Sequence, residues 1–443
     1  MVHQRENMKI VVVGGGKMGL PLACLFADRG AQVTVCDTNP SIVQQINEGV
    51  DPHDEPEQQQ YVHDGVTAGR LHASTATAAE VEQADAVIIL VSALLTPDRD
   101  IDWRNLVNAS ADAAKGLRRG TLVSYETTIP VGSCRTTLVP ILERGGLKAG
   151  RDFDVVFSPE RVKSRLVFAR LTDTPKIVGG ITPASAAAGV AFYSRWLGAP
   201  VIDVGSLEAA EFAKLAGMAY RDLNIALANE LAALGEDMGL DVWPLLRAAN
   251  TDGETALLQP GIGVGGHCTP VYPYFLINGA ARRGISQDLV ALARKINERQ
   301  PDRQIDRLEA LLGSLRGRHI HILGLAFRPQ VREDAFSPAI ALQSRLVAAG
   351  ARVTLEDPLY DQAELTAKGF TPGSVHGGDV DAVILHTAHP EFTAPNFGAW
   401  HAAGIRVVLD GRAAWSRASA EAAGLAYIGV GVGSAPTVVA SDE

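Results

Sequence analysis

Cys268 closes the stretch GIGVGGHC, residues 261–268, behind four glycines, with Pro270 and Pro273 following it. Glycine admits positive φ and close backbone approach at an entropic cost, and proline stiffens what comes after. A loop so rich in bare backbone can stabilise a thiolate with N–H groups and present it as a nucleophile. The competing reading is a small hydrophobe, a role to which cysteine is also suited, but that leaves the glycines unexplained. A nucleophilic thiolate adds to an aldehyde. The thiohemiacetal gives up a hydride, and water hydrolyses the resulting thioester.

Such chemistry needs a hydride acceptor, a cation near the substrate oxygen and a base for water. Gly14, Gly16 and Gly19 form a G-x-G-x-x-G directly after the strand-like KIVVV, and Asp37 ends the next strand-like run. In that setting the first glycine makes a tight turn and the second lets a pyrophosphate approach the backbone. The third lets helix and strand pack, and the helix N-terminus attracts the negative charge. Asp37 would accept ribose hydroxyls and repel a 2′-phosphate, so NAD is expected rather than NADP. Lys214 is the only lysine between residues 206 and 239, on a largely apolar helical face. It is the candidate cation, against the alternative of a surface lysine lying along an amphipathic helix. Glu160 in SPERV and Thr128 in YETTIPVG each follow a strand-like run, where open α/β sheets bind ligands. Glu160 is the candidate base, against the alternative of an exposed loop carboxylate, and Thr128 could orient a water or touch the cofactor.

The elements that must position these groups are legible as hydrophobic runs. Runs at 9–16, 32–37, 85–91, 121–126, 154–158 and 176–180 alternate with helical segments, which predicts a doubly wound parallel sheet. The proline-free segment 206–239 predicts one helix, roughly 50 Å long at about 1.5 Å per residue. A second α/β pattern has strands at 319–327, 352–357, 381–387 and 406–411. The expected fold is therefore α/β, with two Rossmann-like domains bridged by a long central helix. The layout divides into residues 8–203, which carry the dinucleotide turn, 204–300 around the long helix, and 318–432 with the second α/β pattern. So long a bridge has more apolar face than its own domains can easily cover, which predicts a homodimer. The tail after about 432 reads as disordered.

Composition narrows the classes further. The 443 residues are 47% hydrophobic and 20% charged, as in ordinary globular proteins, with a net charge of -10. With no Lys/Arg block, nucleic acid is not an expected partner. No apolar run reaches the roughly 18 residues needed to cross a bilayer, and the opening MVHQREN does not read as a signal peptide. Cys24, Cys36, Cys134 and Cys268 are scattered without CxxC pairing, so neither a metal site nor a disulfide framework is expected and a reducing cytoplasm is. Cys24 and Cys36 read as core fillers.

From Lys9 to about Gly411, the chain resembles the UDP-glucose/GDP-mannose dehydrogenase family. The resemblance rests on VVGGGKMGLPLA, ETTIPVG, SPERV, PKIVGG, KLAGMAYRDLNIALANE, QPGIGVGGHCTPVYPYFL and LGLAFRP, in that order. GVGGHC, with His267 in place of serine, and YRDLNIALANE look like the branch that oxidises nucleotide N-acetylhexosamines. The resemblance implies a helix-bridged dimer that uses two NAD to turn a sugar C6 hydroxymethyl into a carboxylate. By position, Cys268 becomes the nucleophile, Lys214 the oxyanion-stabilising cation or proton relay, Glu160 the base for thioester hydrolysis and Thr128 the holder of water. Lys17, Met18 and Ser92 join the cofactor contacts. Arg161, Met218, Arg221, Gly265, Gly266, His267, Tyr272, Phe327, Arg328 and Arg412 join Lys214 among the substrate contacts.

Four positions depart from the family pattern. Met218 stands where an Asn usually follows the catalytic lysine by one helical turn, so an amide that could hydrogen-bond an oxyanion is lost. Tyr272 stands where an Asp usually follows the cysteine, placing a phenol of pKa about 10 where a carboxylate is expected. NTDGETALLQPG lacks the usual Arg and carries Asp252 and Glu254 instead, charges that would repel a diphosphate. In RPQVREDAFSP, Ala335 replaces an Arg near the cofactor, for which Arg332 could substitute if the loop is rearranged, while Arg328 keeps the charge of the usual Lys. Three readings stay open on these residues: the family oxidation; a diverged NAD-dependent reaction on a related sugar or nucleoside lacking a diphosphate, by single oxidation or by transient oxidation with epimerisation or elimination; and an inactive NAD-binding regulatory protein.

Overall fold

A computed structural model describes residues 7–162 and 164–433. The tail expected to be disordered lies, from 434 on, outside the described residues. The chain divides into two compact units. The first takes the chain up to Gly217 together with Tyr274–Gly284, and the second takes Met218–Pro273 and the chain from Ile285 onward.

The first unit is built on an eight-stranded sheet, ordered β10-β9-β8-β7-β4-β1-β2-β3. Its strands are β1 (Lys9–Val13), β2 (Gln32–Cys36), β3 (Leu71–Ser74), β4 (Ala86–Ile89), β7 (Leu122–Tyr125), β8 (Asp154–Phe157), β9 (Lys176–Gly180) and β10 (Val201–Ser206). A short antiparallel hairpin, β5 (Leu94–Leu95) and β6 (Ile101–Asp102), stands apart from it. β1 and β4 are buried along almost their whole length and carry runs of Val, Ile and Ala, as a sheet covered on both faces requires. One pairing departs from the all-parallel expectation. β8 meets β9 antiparallel through Val156–Gly180 and Phe157–Gly179, so β9 and β10 run against the other six strands. Hydrophobic alternation fixes which residues face the core and carries no strand direction, so the reversal has no signature in the sequence pattern.

The second unit holds a fully parallel sheet in the order β12-β11-β13-β14-β15. Its strands are β11 (His319–Leu323), β12 (Arg352–Glu356), β13 (Ala382–Leu385), β14 (Val407–Asp410) and β15 (Ala426–Gly429). Ile320, Ile322, Ile384 and Leu409 are buried in its core with Leu342 and Leu346 of the helix Pro338–Ala348.

The segment expected as one long helix is one, Leu207–Asp237, 31 residues without a break. It leaves the first unit at Gly217 and continues into the second. Cys24 and Cys36 are buried, as expected of core fillers, and all four cysteines are free thiols. Among the described residues, no helix is long and apolar enough to cross a membrane.

Candidate active site

Strand register decides what the first unit brings together. Val13 pairs with Ile89, Ile89 with Tyr125 and Tyr125 with Phe157, so four strands end level at their carboxyl edge. The segments that follow them carry Gly14–Gly19, Ser92, Thr128 and Glu160, and β1 lies between β2 and β4, where the strand order reverses. Ligands of open α/β sheets bind at such a reversal.

At that edge the glycines are explained one by one. A Cβ on Gly19 would stand 1.9 Å from the Gly14 carbonyl oxygen, so the helix Gly19–Asp28 packs on the turn only without a side chain. A Cβ on Gly16 would meet nothing within 4 Å, leaving open space beside the backbone. Asp37 holds the turn from the neighbouring strand. Its Oδ2 accepts the Gly15 N–H and its Oδ1 the Asn39 N–H, each at 2.8 Å. Each carboxylate oxygen keeps a further lone pair for a ribose hydroxyl. The arrangement fits a dinucleotide. Lys17 and Met18 are half-buried just ahead of the helix, and Ser92 is exposed.

Glu160 is fixed from several directions. Its Oε1 accepts the N–H of Arg161 at 2.5 Å and that of Val162 at 2.9 Å, and its Oε2 accepts the Lys176 ammonium at 3.2 Å. Lys214, on the long helix, is buried and donates its Nζ to the Glu160 carbonyl oxygen. It does not lie along the surface. Thr128 is buried two residues after Glu126. The Arg161 guanidinium donates to the Pro175 carbonyl.

Glu126 and Lys176 lie in ETTIPVG and PKIVGG, whose patterns assign them no role. The structure joins them. The Lys176 ammonium bridges the carboxylates of Glu126 and Glu160, and Glu126 also accepts the Tyr193 hydroxyl at 2.6 Å. Burial pushes the Glu126 carboxyl up from its usual range. Burial alone would lower Lys176, but the two carboxylates outweigh it and hold the ammonium charged. Glu211, one turn before Lys214, was missed as well. Its carboxylate accepts the N–H groups of Gly132 and Cys134 and is pushed by burial to about 8.

The second unit carries the thiol. Leu323 pairs with Leu385 and Leu385 with Asp410, so the segments with Phe327, Arg328 and Arg412 also share one carboxyl edge. The glycine loop packs onto it. A Cβ on Gly265 would lie 2.5 Å from the Phe327 Cβ, and one on Gly261 would lie 2.9 Å from an Arg412 guanidinium nitrogen. Gly266 sits at φ +97° against the Phe327 ring, and its N–H donates to the Ala335 carbonyl at 2.7 Å. Cys268 emerges half-buried beside the exposed His267. Its carbonyl accepts the N–H groups of Val271 and Tyr272, which start the helix Tyr272–Ala281.

Two asparagines of YRDLNIALANE, also without an assigned role, peg the approach to this loop. Asn224 accepts the Leu258 N–H at 2.8 Å and donates to the Ala256 carbonyl at 2.7 Å, and Asn229 accepts the Gly261 N–H at 2.9 Å. Met218 and Arg221 are half-buried on the same helix. The Arg412 Nε donates to the His386 carbonyl at 3.0 Å, and the Arg328 guanidinium lies 5.7 Å from the Phe327 ring centre.

Two of the departing segments make contacts of their own. Arg332 is engaged with residues 359–364. Its Nε donates to the Leu359 carbonyl at 2.9 Å, its Nη2 to Glu364, and its guanidinium lies over the Tyr360 ring. Asp252 is exposed and also closes a turn. Its carboxylate accepts the N–H groups of Glu254 and Thr255 and the Thr255 hydroxyl, at 2.8–2.9 Å. It builds its own turn, and Glu254 is left exposed.

Two Rossmann-like sheets, one with a dinucleotide turn and the other with a thiol loop on its edge, define an NAD-dependent oxidoreductase. The comparisons make the class specific. Residues 8–197 match the NAD binding domain of the UDP-glucose/GDP-mannose dehydrogenase family, 208–299 its central domain and 321–417 its UDP binding domain. The chain belongs to this family and is a nucleotide-sugar dehydrogenase.

It is 31% identical over 417 residues to the UDP-N-acetyl-D-mannosamine dehydrogenase of Pyrococcus horikoshii, covering 91% of this chain and 95% of that one. It is also 31% identical, over 424 residues, to an NDP-N-acetyl-D-galactosaminuronic acid dehydrogenase of Ralstonia solanacearum, covering 92% and 96%. The solved structure of the Pyrococcus enzyme superposes with a TM-score of 0.86 at 30% identity, over 96% of this chain and 99% of that one. A UDP-glucose dehydrogenase of Pyrobaculum islandicum gives 0.86 at 26% identity, over 97% and 99%.

Proposed function

We propose that this dehydrogenase converts the C6 hydroxymethyl of a UDP-N-acetylhexosamine into a carboxylate, through a covalent intermediate on Cys268. The observation that carries the reading is the Cys268 loop, where contact with the Phe327 Cβ requires Gly265, positive φ favours Gly266, and the thiol is left half-buried rather than sealed in a core. The names of the relatives and the GVGGHC and YRDLNIALANE motifs support the substrate class. NAD held at the Gly14–Gly19 turn and Asp37 would supply the hydride acceptor for both oxidations.

In this reading the Cys268 thiolate adds to the C6 aldehyde and becomes a thioester after the second oxidation. Lys214 supplies positive charge to the developing oxyanion, a contribution that typically amounts to about 10²-fold or more in rate. Glu160 takes a proton from the water that Thr128 orients. The water oxygen bonds to the acyl carbon, the C–S bond breaks, and the sulfur leaves as thiolate. Gly14, Gly16, Lys17, Met18, Gly19, Asp37 and Ser92 hold the cofactor. Arg161, Arg221, Gly265, Gly266, His267, Tyr272, Phe327, Arg328 and Arg412 contact the nucleotide sugar. Met218 adds packing where the family usually has an amide, and Tyr272 contributes a hydroxyl as anchor rather than a base. Residues 8–203, 204–300 and 318–432 serve as the NAD, central and substrate domains.

The protein acts as a cytoplasmic homodimer in this proposal. Tyr220, Leu227 and Leu234 recur at seven-residue spacing on the long helix with 56%, 41% and 57% of their surface exposed. A stripe of that kind calls for a covering partner, and a second copy of the same helix supplies one. The purified enzyme with NAD and UDP-N-acetylmannosamine should yield two NADH and one uronic acid per sugar, and Cys268→Ser should yield no acid. An isomerised sugar without net NADH would overturn the reading.

A further inference from the structure

Glu126, Lys176 and Glu160 form a line of charges inside the first unit, with side chains 0%, 6% and 11% exposed. One ammonium serves two carboxylates, so the group carries one surplus negative charge in a place poorly reached by water. β9 contributes Lys176, the segment after β7 contributes Glu126, and the helix Pro183–Trp196 contributes Tyr193, whose hydroxyl meets both Glu126 and Ser124 at 2.6 Å. On the far side of Glu160, Arg161 and Arg170 line a small cleft together with Lys176. From the long helix Lys214 reaches the Glu160 carbonyl oxygen.

The charge count bears on what a base must do. A base that takes a proton loses its negative charge, and any buried cation relying on that charge is then stranded, which is costly. Here Lys176 keeps Glu126 as its counter-ion whether Glu160 is ionised or protonated. Were Lys176 absent, two neighbouring carboxylates would face each other and one would hold a proton beforehand. Were Glu126 absent, protonating Glu160 would leave the Lys176 ammonium unpaired.

We infer that Lys176 and Glu126 are positioning residues for Glu160, a shared ammonium and its buried counter-ion that let Glu160 take up the proton of the hydrolytic water. The inference rests on the reading of Glu160 as that base. No proton passes through Lys176, which remains an ammonium throughout. The water proton ends on Glu160 and returns to solvent after the acid leaves.

The test follows the acyl-enzyme directly. Enzyme mixed with NAD and UDP-N-acetylmannosamine is quenched at intervals, and the Cys268 adduct is read by intact-protein mass across pH. In Glu126→Gln the acidic midpoint of adduct decay should fall by about one pH unit, and in Lys176→Met it should rise by at least as much, since opposite charges within a few ångströms shift carboxylates by about 1–3 units. The double variant should return towards the parent. A purely structural ion pair would lower the yield of folded enzyme and leave these midpoints where they were, which would overturn the inference. Glu160→Gln separates the two proposals. If its adduct decays as fast as the parent's, the base reading itself fails; if decay is lost there but Glu126→Gln has an unshifted midpoint, only the inference fails. Lys176→Met leaves Glu126 unpaired and can fail to fold, in which case Glu126→Gln, nearly the same shape, decides against the parent alone. The same shifts can be read without turnover, as infrared titration of the Glu160 carboxyl, identified by subtracting the Glu160→Gln spectrum.

Discussion

Asp37 accepts the main-chain N–H of Gly15 at 2.8 Å, so the acid that ends β2 and the turn that ends β1 are one hydrogen-bonded unit. The carboxylate is thereby aimed before any cofactor arrives. Hydrogen bonds to charged groups contribute about 1.5–3 kcal/mol, so Asp37→Ala should weaken NAD binding roughly 10- to 100-fold. The same change should narrow the preference for NAD over NADP, because the charge that repels a 2′-phosphate is gone. Calorimetric titration with both dinucleotides checks this, and unchanged NAD affinity in the variant would refute the assignment.

Gly16 and Gly19 are three residues apart and should respond in opposite ways to the same added methyl. In Gly19→Ala the Cβ would collide with the Gly14 carbonyl, a backbone atom that cannot swing aside. The helix must shift, and a loss of about 1–3 kcal/mol, typical of overpacking, is expected as a lowered Tm. In Gly16→Ala the Cβ points into open space, so Tm should stay near the parent while NAD binding drops. Equal Tm losses in the two variants would contradict this division of roles.

Arg332 should matter little to the cofactor. Its side chain is more than half exposed and bound to Glu364 and the Leu359 carbonyl. Exposed ion pairs typically contribute about 0.2–1 kcal/mol. Arg332→Ala should therefore cost no more than that in denaturant unfolding and leave the KM for NAD unchanged. A several-fold rise in that KM would mean that the arginine leaves Glu364 to reach the cofactor.

These cases show what a linear sequence carries and what it does not. The glycine turn, Asp37 and the long helix were legible because their signals are local: fixed spacing after an apolar run, and 31 residues without a proline. β3, β10 and β15 escaped notice because these edge strands, LHAS, VIDVGS and AYIG, carry no continuous apolar run. The bridging of Glu126 and Glu160 by Lys176 was illegible for a different reason. The two partners lie 50 and 16 residues from the lysine, and only the register of β7, β8 and β9 makes them neighbours. The turn that Asp252 closes was illegible as well, because a carboxylate that bonds its own loop has the same letter as one that only offers charge.

His386 offers a pH-dependent test of the second unit. It is fully buried at the carboxyl end of β13, with Nδ1 3.0 Å from the Gly324 carbonyl and no hydrogen-bond partner at Nε2. Burial, and then the nearby Arg412 guanidinium, push its pKa down to about 3 from the usual 6.5. Between those values the unfolded chain binds a proton that the folded chain refuses, so this residue's contribution is intact above about pH 6.5 and lost as pH falls towards 3. Each pH unit in that window corresponds to at most about 1.4 kcal/mol. His386→Asn keeps a donor for the Gly324 carbonyl and removes the titration. Relative to the parent, the variant should therefore gain about 2 kcal/mol between pH 7 and pH 5 in denaturant unfolding. If parent and variant lose stability in parallel over that range, the imidazole is not held neutral by the fold.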